Sequence, residues 1–256
     1  MNTLVALALI LLCLMVIIGG RKGFRSFLSL FFNFIVILIT TILMTIPSFD
    51  PVVITIIACV IISCINLFYI NEINSKTIIA FISTMITIIM LFSFIYVMTK
   101  KIMVRGFGEE EIEELSVFSL YIGIDFMKLG AAVIIMSTIG AITDISISIT
   151  SPLHELFKHN PNMTMPELFK AGMAIGNDIL GSNTNTLFFA FFGGYMALLL
   201  WIKDLSYSFG EIINSKVFSA EMVTILSAGI GIALVIPIAS WLYASYLINQ
   251  KNKLDN

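Results

Sequence analysis

Residues 172–187 read GMAIGNDILGSNTNTL. This is the most polar and glycine-rich run in a chain that is otherwise largely hydrocarbon, and it lies where a soluble-looking segment turns back into apolar sequence. Two structures suit it. A broken or re-entrant helix needs such a run, because backbone groups freed at membrane depth must be satisfied by side chains or water. A plain helix cap with an interfacial loop uses the same residue types. Gly172 and Gly176 form a small-x-x-x-small pair suited to close helix packing, and Gly181 is a further candidate packing residue. Exposed carbonyls together with Asp178 suit a cation, and a helix N-terminus suits an anion.

Working outward, composition decides the class. Of 256 residues, 59% are hydrophobic and 12% charged, where a soluble domain carries about 25% charged residues. A hydrocarbon core takes about 20 apolar residues per helical crossing. The expected fold is therefore all-α: a polytopic transmembrane bundle of about seven spans, plus one or two cytoplasmic, interfacial or re-entrant helices, with the lipid bilayer as its first partner. A net charge of −2 without a basic patch excludes nucleic acid. Cys13, Cys59 and Cys64 lie in apolar runs and read as small packing residues. The first run lacks a basic stretch ahead of it and a clear cleavage site, and reads as a retained span.

Four charge-free spans are expected at 4–18, 27–46, 52–70 and 77–98. Arg21, Lys22 and Arg25 follow the first and set the orientation, N-terminus outside and C-terminus cytoplasmic. Asn33 and Asn66 are the main polar points and are expected to hydrogen-bond to neighbouring helices. The chain thus divides into a four-span hydrophobic half, 1–103, and a motif-bearing half, 104–256, within one membrane domain. The cluster from Glu109 to Glu114 reads as a solvated helix start.

The fifth span, about 117–141, differs in kind. Asp125 and Lys128 lie three apart and share a helix face. Lys128 must meet Asp125, another anion or water, since an unpaired charge at bilayer depth costs about 2.5–3.5 kcal/mol. Gly123, Gly130, Ser137 and Asp144 recur every seven residues and suggest a packing seam. The stretch 143–150, TDISISIT, alternates like a strand, but an open edge is excluded in lipid, so helix or a protein-covered segment is expected there, and 142–182 as a whole is expected to be cytoplasmic. Ser151-Pro152 reads as the cap of a separate short helix. Thr164 and Glu167 fit a capping box opening an amphipathic helix over 166–180. A sixth span begins at Asn183 and runs to 201, and a seventh runs from 221 to 247 with a kink at Pro237.

His154 and His159 are five apart, whereas a zincin helix needs histidines four apart. No metal site, cofactor or catalytic constellation is expected, and with it no enzyme.

Several spaced motifs resemble the YibE/F-like family of bacterial multi-pass membrane proteins. They are GAITDISISI from Gly140, then Leu153-His154-Glu155, then GMAIGNDILG from Gly172, then Thr184-Asn185-Thr186-Leu187. Asn177 stands where the family has a basic residue beside its aspartate. The resemblance implies a polytopic protein of the bacterial cytoplasmic membrane, often one of a related pair. A hetero-partner from the family or a homo-oligomer is therefore expected. Asp144, His154, Glu155, Asp178 and Asn185 match the family's polar positions. With Asp125, Lys128, Asn177 and Asn183 they form the expected polar pathway or vestibule of a transporter or channel component for a small solute or ion. The alternative is a non-transporting subunit that packs against a related partner.

Overall fold

The computed structural model describes residues 2–46, 48–102, 126–194 and 208–255. Among them are seven α-helices and no strand: α1 (Thr3–Met44), α2 (Pro51–Cys64), α3 (Ser75–Ile102), α4 (Phe126–His159), α5 (Met165–Gly194), α6 (Phe209–Asn214) and α7 (Lys216–Asp255). A π turn, Ile65–Tyr69, extends α2. Five helical stretches are long and apolar enough to cross a membrane, in α1, α2 with its π turn, α3, α4 and α7.

The first two expected spans form one kinked helix. Gly20 sits at φ 55°, ψ −134°, a region essentially reserved for glycine. The chain bends so sharply there that a side chain on Gly23 would overlap the Met15 carbonyl. The arm before the bend stays exposed along its length.

Ion pairs and caps define two ends. At one, Arg25 pairs with Glu72 at 2.9 Å and Lys76 with Glu155 at 3.9 Å. There too the Lys251 ammonium donates to the Pro161 carbonyl at 2.9 Å. The basic clusters at 21–25, 158 and 251–253 thereby share an end. At the other, Asp50 caps α2 by accepting from the Val52 amide at 2.9 Å, with Pro51 at the first helical position. From the second arm of α1 onward the long helices alternate in direction between these ends. Asn33 and Asn66 bridge α1 to the π turn, amide to amide, at 2.8 Å, as their isolation in apolar spans implies.

The core lies where α3, α4, α5 and α7 meet. The inward stripe of α4 is Ile135, Ile139, Ile142, Ile145, Ile149 and Leu153, each at most 2% exposed. Its spacing of three and four is helical, so TDISISIT folds as helix: Thr143, Ser146 and Thr150 turn inward with the isoleucines while Asp144 and Ser148 face out. The expected helix start at Ser151-Pro152 does not occur. Pro152 sits inside α4, and a proline removes only one bond from a helix that packs along its length. Thr164 and Glu167 do open α5. The carboxylate accepts from the Thr164 amide at 2.8 Å and from its hydroxyl at 2.9 Å, so the box is formed from the glutamate's side.

The 172–187 run is not broken. α5 is continuous through it, because the polar side chains satisfy the helix they sit on. Asn183 donates to the Ile179 carbonyl at 2.9 Å, Thr184 to Leu180 at 2.8 Å and Thr186 to Ser182 at 2.9 Å. The sixth expected span therefore starts inside α5 and passes into 195–201, outside the described residues.

Candidate functional site

Contacts between helices place the polar residues in depth. α4 and α7 run the same way: Ile142 packs on Gly231 and His154 meets Tyr243. α5 runs against them, with Gly172 on Ser240, Gly176 on Ile236 and Thr184 on Gly229. Interpolating along these contacts, Asp144 of α4 and Asp178 of α5 fall at one level, beside Ala233 and Leu234 of α7. At 1.5 Å per residue that level is about 15 Å inward from Tyr243, half the thickness of a hydrocarbon core of about 30 Å.

Both carboxylates face outward. Asp144 shares the exposed face of α4 with Val133, Ser137 and Ser148. Asn177, Asp178, Gly181, Ser182, Asn185 and Thr186 form one exposed face of α5. Neither aspartate has a hydrogen bond or ion pair to another described residue. A charge at this depth cannot stand against acyl chains without a cost of about 2.5–3.5 kcal/mol. The face must be covered by water or by protein. It also explains why α5, over its described residues, is not among the helices apolar enough to cross unaided.

Asn185 lies farther out. With Gly181, Thr184, Phe188, Leu226 and Gly229 it lines a cavity of about 660 Å³ between α5 and α7. Asn183 is half-buried and spends its amide on its own helix. A groove of about 600 Å³ between α1 and α4 is lined by Thr40, Thr41, Met44, Val133, Met136 and Ser137.

His154 and Glu155 lie at the basic end, not beside Asp144. His154 Nδ1 and the Tyr243 hydroxyl are 2.8 Å apart, while Glu155 faces Lys76. Among the described residues no group of three His, Cys, Asp or Glu side chains gathers as metal ligands would.

The expected Asp125–Lys128 pair falls partly outside the described residues, as does Gly123. Lys128 pairs with Asp50, a partner the sequence reading missed. One carboxylate does two things: Oδ1 caps α2 and Oδ2 takes the Lys128 ammonium. The Lys128 hydrogen bond, aided by the Val52 amide and opposed by desolvation, holds the Asp50 carboxyl below its usual range. A carboxyl lowered on folding adds stability that is present above its unfolded value and lost as pH falls through the folded one. That loss belongs below about pH 4. Both side chains are about 40% exposed, so the pair contributes no more than about 1 kcal/mol. Asp50→Asn and Lys128→Gln should each lower the melting temperature slightly, and the double variant by less than their sum. Strict additivity in that cycle would mean the two are not coupled.

Of the expected packing residues, Gly172 and Gly176 are buried against α7. A side chain on Gly172 would fall 2.7 Å from Ser240 Cβ and 3.0 Å from Leu153 Cδ1. Gly181 is different: a side chain there meets nothing within 4 Å. Gly130 is half-buried, whereas Ser137 is exposed and donates to its own helix at Val133. The heptad seam therefore faces outward at Ser137 and Asp144.

The chain matches the sequence model of the YibE/F-like protein family over residues 7–249. It belongs to that family and is a membrane protein. Comparison with curated proteins and with solved structures gives no match.

Proposed function

We propose that this YibE/F-like protein is a component of a transporter or channel for a small polar solute or ion, and that its pathway follows the exposed polar face of α5. The observation that carries the reading is the pair Asp144 and Asp178, two unpaired carboxylates at one mid-membrane level. Two anions and a row of amides and hydroxyls favour a cation or a hydrogen-bonding solute over an anion. The protein is placed in the bacterial cytoplasmic membrane with its basic end in the cytoplasm, following the bias of Lys and Arg.

One observation favours the second reading, a non-transporting subunit. The core is closed by hydroxyls bonded within their own helices, such as Thr143 to Ile139 at 2.7 Å and Ser240 to Ile236 at 2.7 Å, and the polar face is not enclosed by the described residues. On the transport reading a second protein surface, from a family member or another copy, completes the wall.

Flux into proteoliposomes tests both. Vesicles holding the protein, alone and with a paired family member, are loaded in turn with alkali and alkaline-earth cations, chloride and neutral polyols. Cation or polyol uptake above empty vesicles, in either preparation, is the expected result. Uptake equal to that of empty vesicles in both would leave the subunit reading.

A further inference from the structure

We infer that the groove between α1 and α4 holds one acyl chain of a phospholipid, whose ethanolamine headgroup is captured at the Asp50–Lys128 pair. The groove has a volume of about 600 Å³. Thr40, Met44 and Ala132 are buried along its floor, while Thr41, Val133 and Ser137 stand exposed along its edges. On α4 its lining runs from Leu129 to Ser137, about 12 Å at 1.5 Å per residue.

The hydroxyls of the lining offer little to a polar guest. Thr40 donates to the Val36 carbonyl at 2.7 Å, Thr41 to Ile37 at 2.9 Å and Ser137 to Val133 at 2.9 Å. Water held there would meet spent donors and methyl groups, and a buried water needs two to four polar partners. An empty groove would lose dispersion contacts along its length. A hydrocarbon chain fills it without either cost, and the exposed edges let one enter sideways from the bilayer.

The charged pair at one end fixes the class of lipid. Lys128 immediately precedes Leu129 and lies one turn from Ala132, on the same side of α4. Asp50 follows Thr45, the last lining residue of α1, by five positions. Lys128 is sixteen residues along α4 from Asp144, about 24 Å from mid-membrane, which is headgroup depth in a bilayer about 40–45 Å thick. Together the ammonium and carboxylate carry no net charge, so they exert no net pull on an anionic lipid. They do match a zwitterion, its phosphate to Lys128 and its ammonium to Asp50. A carboxylate accepts at about four sites, more than the α2 cap and Lys128 occupy. Ethanolamine has N–H groups to donate to the remainder, and choline has none. The site is separate from the polar face of α5 and stands whether or not that face carries a solute.

The test uses the full-length protein in nanodiscs made from equal parts of phosphatidylethanolamine, phosphatidylcholine and phosphatidylglycerol with identical chains. After extraction into mild detergent, native mass spectrometry counts the lipid retained per protein. The ethanolamine lipid should be retained about tenfold over the choline lipid, the worth of one hydrogen bond to a charged group. Asp50→Asn, whose amide oxygen still caps α2, and Lys128→Gln should each bring these two lipids to parity. Ser137→Phe, which fills the groove from an exposed position, should cut retention of all three. Parity in the unsubstituted protein, a preference for the glycerol lipid, or an ethanolamine preference that survives both charge variants would each overturn the site. The two charge variants decide the matter if Ser137→Phe does not fold.

Discussion

Gly176→Leu is expected to lift α5 off α7 and to lower stability by about 3 kcal/mol, the upper end of overpacking penalties. Even a Cβ at this position would overlap the Ile236 side chain, at its branch and not its tip. Ile236 is itself buried, so it has nowhere to swing. Gly172→Leu should act likewise, through Ser240 and Leu153. The control is on the same helix: Gly181→Leu enters open space and should change stability by no more than about 0.5 kcal/mol. Trimming the obstacle checks the mechanism. Ile236→Ala should partly restore Gly176→Ala, so the two changes should be strongly non-additive. Melting curves of the purified variants read this out, and simple addition would mean that the glycines matter for some reason other than space.

Asp144→Asn and Asp178→Asn should each reduce flux at least about tenfold, the effect of ~1.4 kcal/mol on a barrier. Membrane insertion and melting temperature should stay as they are. Both residues are exposed and make no described bond, so neutralising them removes no fold contact. What it removes is the negative field at mid-membrane, which a permeating cation would feel most strongly where dielectric screening is weakest. If the two carboxylates serve one step, the double variant should be little worse than either single one. Lys170→Ala, exposed on the same helix near its start, should be nearly silent. Flux unchanged in both aspartate variants would remove these residues from any pathway.

Part of this was legible in the chain itself. The apolar runs, the two lone asparagines, Gly172-x-x-x-Gly176 and the Thr164–Glu167 cap each carry a local physical requirement, and each is met. The residues 177, 178, 181, 182, 185 and 186 recur in pairs every four positions, which places them on one helix face. That spacing could have argued for the unbroken α5. The residue types themselves suit broken helices equally well. What could not be read was partnership across distance. Asp50-Pro51 announces a helix cap, and Lys128 announces an unmet charge, but nothing in 78 residues of separation joins them. Nor does a heptad of small residues say whether it turns toward its own bundle or away from it, as Ser137 and Asp144 do.

The buried hydroxyls of α4 spend themselves at home. Thr138, Thr143 and Thr150 bond carbonyls of their own helix, and Ser146 alone crosses, to Ala80 of α3 at 2.9 Å. Along the buried stripe of α4, cohesion with its neighbours is consequently more a matter of shape than of adhesive polar bonds. Such a bundle should be sensitive to bilayer thickness and lateral pressure, which change how closely its surfaces can meet.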